Sequence, residues 1–209
     1  MKQDNVVAIK TPDEKDPLQA ILREGARKLL REAIGAEIDE CLAKYRSLIT
    51  DDGSPALVLK TRAANLEKYD KPLFINEITI PMPNPDEVIV KLYASGICGS
   101  QLIDINNRNR TQPALLGHEG TGCIVQAGKN VKHVKEGDDV LISWMPYGAD
   151  EKTKYLQWCN IYWNKENIQT LIFTWAEHAI MHSQFVSKMD SGINKYTASI
   201  IGCAGIAGY

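Results

Sequence analysis

From Ala56 onward the chain is built of short runs rich in β-branched residues: "ALVLK", "LFINEITI", "EVIVKLYASG", "GTGCIVQAG", "DVLIS" and "TLIFTWAEHAIM". Gly, Pro, Asn or Asp separates each run from the next. No other feature constrains the fold as strongly. Short alternating runs bury one face of a strand, and turn residues at such close intervals force the chain back on itself. The pattern predicts a mainly β fold with some helix (α+β), an antiparallel barrel or sandwich. "MPNPDE" and "KEGDD" supply turns where strands begin. Residues 148–169 break the rhythm, being polar with scattered aromatics, and read as a lobe or long excursion. The final "NKYTASIIGCAGIAG" reads as a helix opening into a Gly-rich turn.

The first 53 residues are patterned differently. Residues 1–15 are polar and mixed, and an amphipathic helical segment is expected over residues 16–49. Asp16 suits the N-cap, Pro17 the first helical position, and Gln19 completes a capping box. Leu18, Ile21, Leu22, Leu29, Leu30, Ile34, Ile38 and Leu42 recur at helical spacing with charges between them. Gly35 marks a plausible break, since glycine costs about 1 kcal/mol relative to alanine inside a helix. An apolar stripe of this length needs a partner: the rest of the chain, a second helix after a bend, or another copy. The expected division is residues 1–53 and residues 54–209.

The overall balance excludes some functions. A formal net charge of −2 provides no general attraction for nucleic acid or anionic lipid. No apolar run approaches the roughly 20 residues that span a bilayer. "MKQDNVVAIKTPDEKD" lacks the apolar core of a signal peptide. Five widely spaced cysteines, Cys41, Cys98, Cys123, Cys159 and Cys203, do not make a disulfide framework. The expectation is a reduced, cytoplasmic setting.

Chemistry concentrates at three places. "GICGS" puts Cys98 at a strand-to-helix turn, "LLGHEGTG" puts His118 and Glu119 in a Gly-flanked turn, and "IIGCAGIAG" carries Cys203. None has tight metal spacing, and each taken alone reads first as a small core residue or a structural histidine. Glycines at these turns let the backbone approach an ion or ligand closely.

Together, "ALVLK", "PDEVIVKLYASGICGS", "PALLGHEGTGCIVQAGKNVKHVKEGDDVLI", "TWAEHAIMHSQFVSKM" and "TASIIGCAGIAGY" resemble, in order, the N-terminal GroES-like catalytic domain of zinc-dependent medium-chain alcohol and polyol dehydrogenases. The resemblance runs from Pro55 to Tyr209 and implies a GroES-like barrel. It implies that Cys98, His118 and Cys203 bind one catalytic zinc. Two thiolates and one imidazole, the catalytic set of alcohol dehydrogenase, leave a fourth position for water or substrate oxygen. Zinc would act as a Lewis acid toward the alcohol. Ser100 matches the family residue that accepts the alcohol proton, and Glu119 the glutamate beside the metal. The implied substrate is a small alcohol or polyol, oxidised with NAD(P). Trp144 and Tyr147 are candidates to line the pocket.

Three departures qualify the resemblance. Where the family carries an Asp that hydrogen-bonds the ligand histidine, this chain has Gln101, which can accept the same bond but brings no charge. Where a four-cysteine structural zinc lobe would stand, "PYGADEKTKYLQWCNIYW" offers Cys159 alone, so no structural zinc is expected. The family also continues into a doubly wound coenzyme domain with a G-x-G-x-x-G turn, absent from these 209 residues. The expectation is a truncated fusion that does not turn over an alcohol.

The N-terminal "LREGARKLLREAIGAEIDE" and "DDG" resemble the start of mutator-type insertion-sequence transposases. That resemblance implies a DNA-binding or self-associating piece, or a non-functional chimera. Nine basic against eleven acidic residues in this segment argue against a DNA-gripping stripe, so self-association through residues 16–49 is the expected role.

Overall fold

The computed structural model describes residues 24–26, 28–29, 58–69, 71–147, 158–164 and 166–208. The chain divides into two units, Met1–Ser47 and Leu48–Tyr209. In the first, residues 24–26 and 28–29 are helical and exposed. Leu29, one residue of the expected apolar stripe, is among these; the remainder of the expected helical segment, with its capping box, lies outside the described residues.

The second unit is mainly β, as the run pattern predicts. In chain order its elements are β1 (Val58–Leu66), β2 (Phe74–Pro81), β3 (Glu87–Ser95), helix α1 (Gly99–Ile105), β4 (Ala114–Leu115) and β5 (Gly120–Ala127). Then come β6 (Asp139–Ile142), β7 (Cys159–Trp163), β8 (Glu166–Thr170), β9 (His178–His182), β10 (Val186–Lys188) and the short helix α2 (Lys195–Ala198). The strands form two five-stranded sheets, ordered β4-β1-β2-β7-β8 and β10-β6-β5-β3-β9. Every strand pairing among the described residues is antiparallel.

Alternation sets each strand's faces. In β1, Thr61 and Ala63 point inward while Lys60 and Arg62 point outward. The outward pair meets Glu77 (3.2 Å from Lys60) and Glu177 across the sheet surface. Such exposed pairs contribute little to stability. In β3, by contrast, Val88, Ile89 and Val90 are all buried in succession, because both faces of this strand are covered. They pack with Ile78 and Ile80 of β2, Ile124 of β5, Val140 and Ile142 of β6, Ile180 of β9, and Phe173. Burying each aliphatic or aromatic side chain of this kind contributes about 1.5–3 kcal/mol.

Residues 175–177 join the sheets. The Ala64 N–H donates to the Trp175 carbonyl (2.8 Å) and the Glu177 N–H to Arg62 on β1 (2.9 Å). On the other side, the Leu92 N–H of β3 donates to the Glu177 carbonyl (2.9 Å). One extended segment therefore bonds β1 and β3 and closes the barrel. This also corrects the expected strand "TLIFTWAEHAIM": its first residue, Thr170, ends β8, its last four lie in β9, and the stretch between is not regular strand.

A second correction concerns residues 148–169. Residues 148–157 lie outside the described residues, but the later part is no excursion. β7 and β8 form a hairpin, and Thr79 pairs with Tyr162 to add it to β2. Cys159, Ile161, Ile168 and Thr170 face inward at period two. Asn164 takes φ 48° at the turn, a conformation that asparagine tolerates. No helix among the described residues is long and apolar enough to cross a membrane.

Candidate metal centre

Sheet register brings three chain segments to one end of the barrel. Ser95, at the end of β3, pairs with Gly120, at the start of β5, and Gly120 pairs with Ile142, at the end of β6. The chain leaves β3 through Gly96 and Ile97 to Cys98, which N-caps α1. His118 and Glu119 immediately precede β5. Just past β6, the Ser143 hydroxyl donates to the Gly202 carbonyl (2.8 Å). Gly202 lies in a π-helical turn, Ile201–Gly205, whose centre is Cys203. A Cβ on Gly202 would sit 2.0 Å from the Ile142 carbonyl oxygen, so only glycine lets this turn seat against β6.

The turn is anchored from its N-terminal side too. Asn194 caps α2, its side-chain oxygen accepting from the Tyr196 and Thr197 N–H groups at 3.0 Å each. The buried Thr121 hydroxyl of β5 donates to the Lys195 carbonyl (2.7 Å). Around the His118 loop, Ser95 and Thr174 hydroxyls both donate to the Glu119 carbonyl (2.9 and 3.0 Å). The Trp175 indole N–H donates to the Gly96 carbonyl (3.0 Å).

These constraints converge on a cluster. The ligand atoms of Cys98, His118 and Cys203 all lie within 4.8 Å of one another, and the two sulfurs are 3.7 Å apart. Residues 98, 118 and 203, far apart in sequence, are brought together. Glu119 is 1% exposed and its Oε2 accepts from the N–H groups of Cys203 (3.0 Å) and Ala204 (3.3 Å). A Cβ on Gly96 would fall 2.6 Å from the Glu119 carboxylate, so that glycine clears its space. Ser100 is exposed in the first turn of α1, beside the Cys98 sulfur.

The electrostatics separate the two thiols. The backbone N–H and then the hydroxyl of Ser100, both directed at the Cys98 sulfur, lower its pKa below the usual thiol value, with Cys203 adding to the effect. Burial, and next the neighbouring Cys98, push the Cys203 thiol up to about 11. Burial also lowers the His118 pKa, against the opposing pull of Glu119 and Asp104.

Gln101 is the neighbour whose role the sequence reading misjudged. It is 3% exposed. Its Oε1 accepts from the Cys98 backbone N–H at 2.7 Å, and its Nε2 faces His118 Nδ1 at 2.7 Å. The expected contact with the histidine is present, but the amide nitrogen makes it. A backbone N–H can be met only by the oxygen of an amide, so the nitrogen must turn to the imidazole. Gly96, Gly202, Ser143 and Thr174 were also missed as supports; only the glycine spacing in "SGICG" and "IIGCAG" hinted at close approaches.

The donor set suits a metal ion. His118 Nε2 and Glu119 Oε1 are buried polar atoms without hydrogen-bond partners, and His118 shares its cluster with two sulfurs. Leaving such atoms unpaired is costly unless a cation or water meets them. Two cysteines and a histidine match the soft, four-coordinate preference of zinc. Cys159 instead lies buried in β7 with its thiol against Glu87 Oε1 (3.4 Å), and burial raises its pKa strongly. Trp144 is half-exposed just beyond Ser143, whereas Tyr147 stacks on His133, ring centroids 6.4 Å apart.

Residues 84–191 match the sequence family described as "Alcohol dehydrogenase GroES-like domain". An alcohol dehydrogenase of Moraxella sp. (strain TAE123) is 29% identical over 153 residues, covering 71% of this chain and 45% of the relative. Alcohol dehydrogenase 6 of Peromyscus maniculatus is 36% identical over 112 residues, 53% of this chain and 28% of the relative. The chain thus spans less than half the length of either. Among solved structures, an alcohol dehydrogenase zinc-binding domain protein from Burkholderia ambifaria superposes with TM-score 0.62 at 23% identity, covering 70% of this chain and 46% of that one. Benzyl alcohol dehydrogenase from Acinetobacter calcoaceticus gives TM-score 0.57 at 23% identity, over 69% and 45%. At such identities these structures speak for the fold alone.

Proposed function

Since the chain belongs to the alcohol dehydrogenase GroES-like domain family, we propose that it is the zinc-binding catalytic domain of an oxidoreductase acting on a small alcohol or polyol. One zinc would be held by Cys98, His118 and Cys203. The observation that carries the reading is the convergence of these ligand atoms within 4.8 Å of one another, with His118 Nε2 buried and unpartnered.

In this reading zinc supplies Lewis acidity that favours the alkoxide over the alcohol. The protein's own groups do the rest. Ser100, exposed and one residue past Gly99, takes the proton of the bound alcohol and passes it to water. Glu119 fixes the Cys203 turn with Oε2 and leaves Oε1 buried without a partner, available to assist exchange of the fourth ligand. Gly96 and the Thr174 hydroxyl keep the His118 loop seated. Hydride transfer requires an acceptor, and NAD(P) is the one proposed; no residue for it is assigned among those described.

Metal content tests the reading directly. Protein purified without chelator, dialysed and analysed by atomic emission should carry about one zinc per chain, as a three-ligand site predicts. Cys203→Ser should lose it while keeping its far-UV circular dichroism. A zinc-free wild-type protein that also refuses added zinc would refute the proposal.

A further inference from the structure

The orientation of the Gln101 amide has a consequence for His118. The Cys98 backbone N–H, 2.7 Å from Gln101 Oε1, is a donor only and pins the oxygen to its side. The amide NH2 is thereby aimed at His118 Nδ1, 2.7 Å away. An NH2 group has no lone pair to offer, so Nδ1 must accept, and the ring's single proton resides on Nε2. That nitrogen is the buried one without a partner, on a ring that offers a ligand atom within 4.8 Å of both cysteine sulfurs. A nitrogen bearing a proton has no lone pair for a metal.

We propose that Gln101 is a positioning residue that holds His118 in the Nε2–H tautomer and so weakens metal capture at this centre. The metal consequence rests on the function proposed above; the tautomer does not. For Nε2 to coordinate, its proton must move to Nδ1, and Nδ1–H then needs an acceptor. Gln101 supplies one only by turning its amide over, which sets its NH2 against the Cys98 N–H and leaves that donor unpaired. A carboxylate of the same shape has no such conflict. Its two oxygens accept from Cys98 N–H and His118 Nδ1–H together. Gln101→Glu therefore relieves the tautomer constraint with no change in size.

Two measurements on the full 209-residue chain decide the matter. The first is the tautomer of His118 in metal-free protein near pH 8, where imidazole is mostly neutral, read from long-range ¹H–¹⁵N correlations of the ring. Wild type should show a protonated Nε2 and an unprotonated Nδ1; in Gln101→Glu the proton should sit on Nδ1. The second is zinc affinity by competition with a chromophoric chelator, zinc being the only added ligand. Gln101→Glu should bind roughly tenfold to a hundredfold more tightly than wild type, the range over which groups orienting a metal's ligands act. Gln101→Leu, which cannot bond either partner, should lose the wild-type tautomer bias. A wild-type His118 protonated at Nδ1 would overturn the proposal. So would equal zinc affinity in wild type and Gln101→Glu with both proteins loaded. If neither protein takes zinc, the metal reading fails, and the tautomer measurement alone judges Gln101.

Discussion

The carboxylate of Glu119 holds the turn that carries Cys203: its Oε2 accepts from the Cys203 N–H at 3.0 Å, across 84 residues of sequence. The neighbouring Ala204 N–H donates to the same oxygen at 3.3 Å. A buried side chain of one loop thus stands in for backbone partners of another. Glu119→Ala removes that acceptor and opens a hole, and should cost about 2–4 kcal/mol in denaturant unfolding of the metal-free protein. Glu119→Gln keeps one oxygen for the two N–H groups and should stay within about 1 kcal/mol of wild type. Equal stability of all three would mean that the carboxylate does not hold the turn.

Gly202 supports the same turn by having no side chain. An added Cβ meets the Ile142 carbonyl oxygen at 2.0 Å and Ser143 Cα at 3.1 Å, both backbone atoms. Neither can rotate away, so the turn must move off β6 and take Cys203 with it. Gly202→Ala should lower stability by about 1–3 kcal/mol and weaken zinc binding although every ligand remains. Isothermal titration with zinc beside thermal unfolding checks this. Wild-type affinity in a destabilised variant would separate the turn's seat from the metal site.

The two thiols should differ in reactivity in the metal-free protein. Ser100 N–H and hydroxyl stabilise the Cys98 thiolate, whose pKa lies below that of an ordinary thiol, whereas burial pushes Cys203 up to about 11. As pH rises, Cys98 therefore ionises first and Cys203 only well above neutrality. Near pH 8, iodoacetamide should modify Cys98 about a hundredfold faster than Cys203, since only the thiolate attacks. Peptide mass mapping against time reads both rates. Added zinc should protect both, and its affinity should rise with pH because binding displaces thiol protons. Equal rates for the two cysteines would contradict the difference in their surroundings.

The strand framework was legible because burial and alternation share a period. "EVIVKLYASG" and "DVLIS" mark β3 and β6 almost to the residue. Cys98, His118 and Cys203 could be singled out from their Gly-flanked turns only by resemblance; their meeting depends on the register Ser95–Gly120–Ile142, which no local pattern reveals. Gln101 shows the limit most clearly. That it approaches His118 was expected, but which end of its amide arrives is set by the Cys98 N–H three residues back. A side chain's polarity can be read from sequence; the competition between two partners for it needs coordinates. The stretch 171–177 misled for a related reason. It is apolar like a strand, yet it serves as a bridge bonded to β1 on one side and β3 on the other.

Residues 158–169 read as part of a polar excursion because their outward residues, Asn160, Asn167 and Gln169, are polar and their inward ones are few. The inward ones nevertheless complete the core. Ile161 is fully buried, pairs with Ile168 across the hairpin, and joins the cluster that includes Phe173 and Ile80. If this hairpin is integral to the barrel, truncating Ile161 must cost what a core truncation costs. Ile161→Ala should lower unfolding free energy by about 2–5 kcal/mol, against under about 0.5 kcal/mol for Asn160→Ala on the exposed face. Guanidinium denaturation followed by tryptophan fluorescence measures both. Comparable small effects would return the segment to the status of a loose appendage and leave β2 as the edge of its sheet.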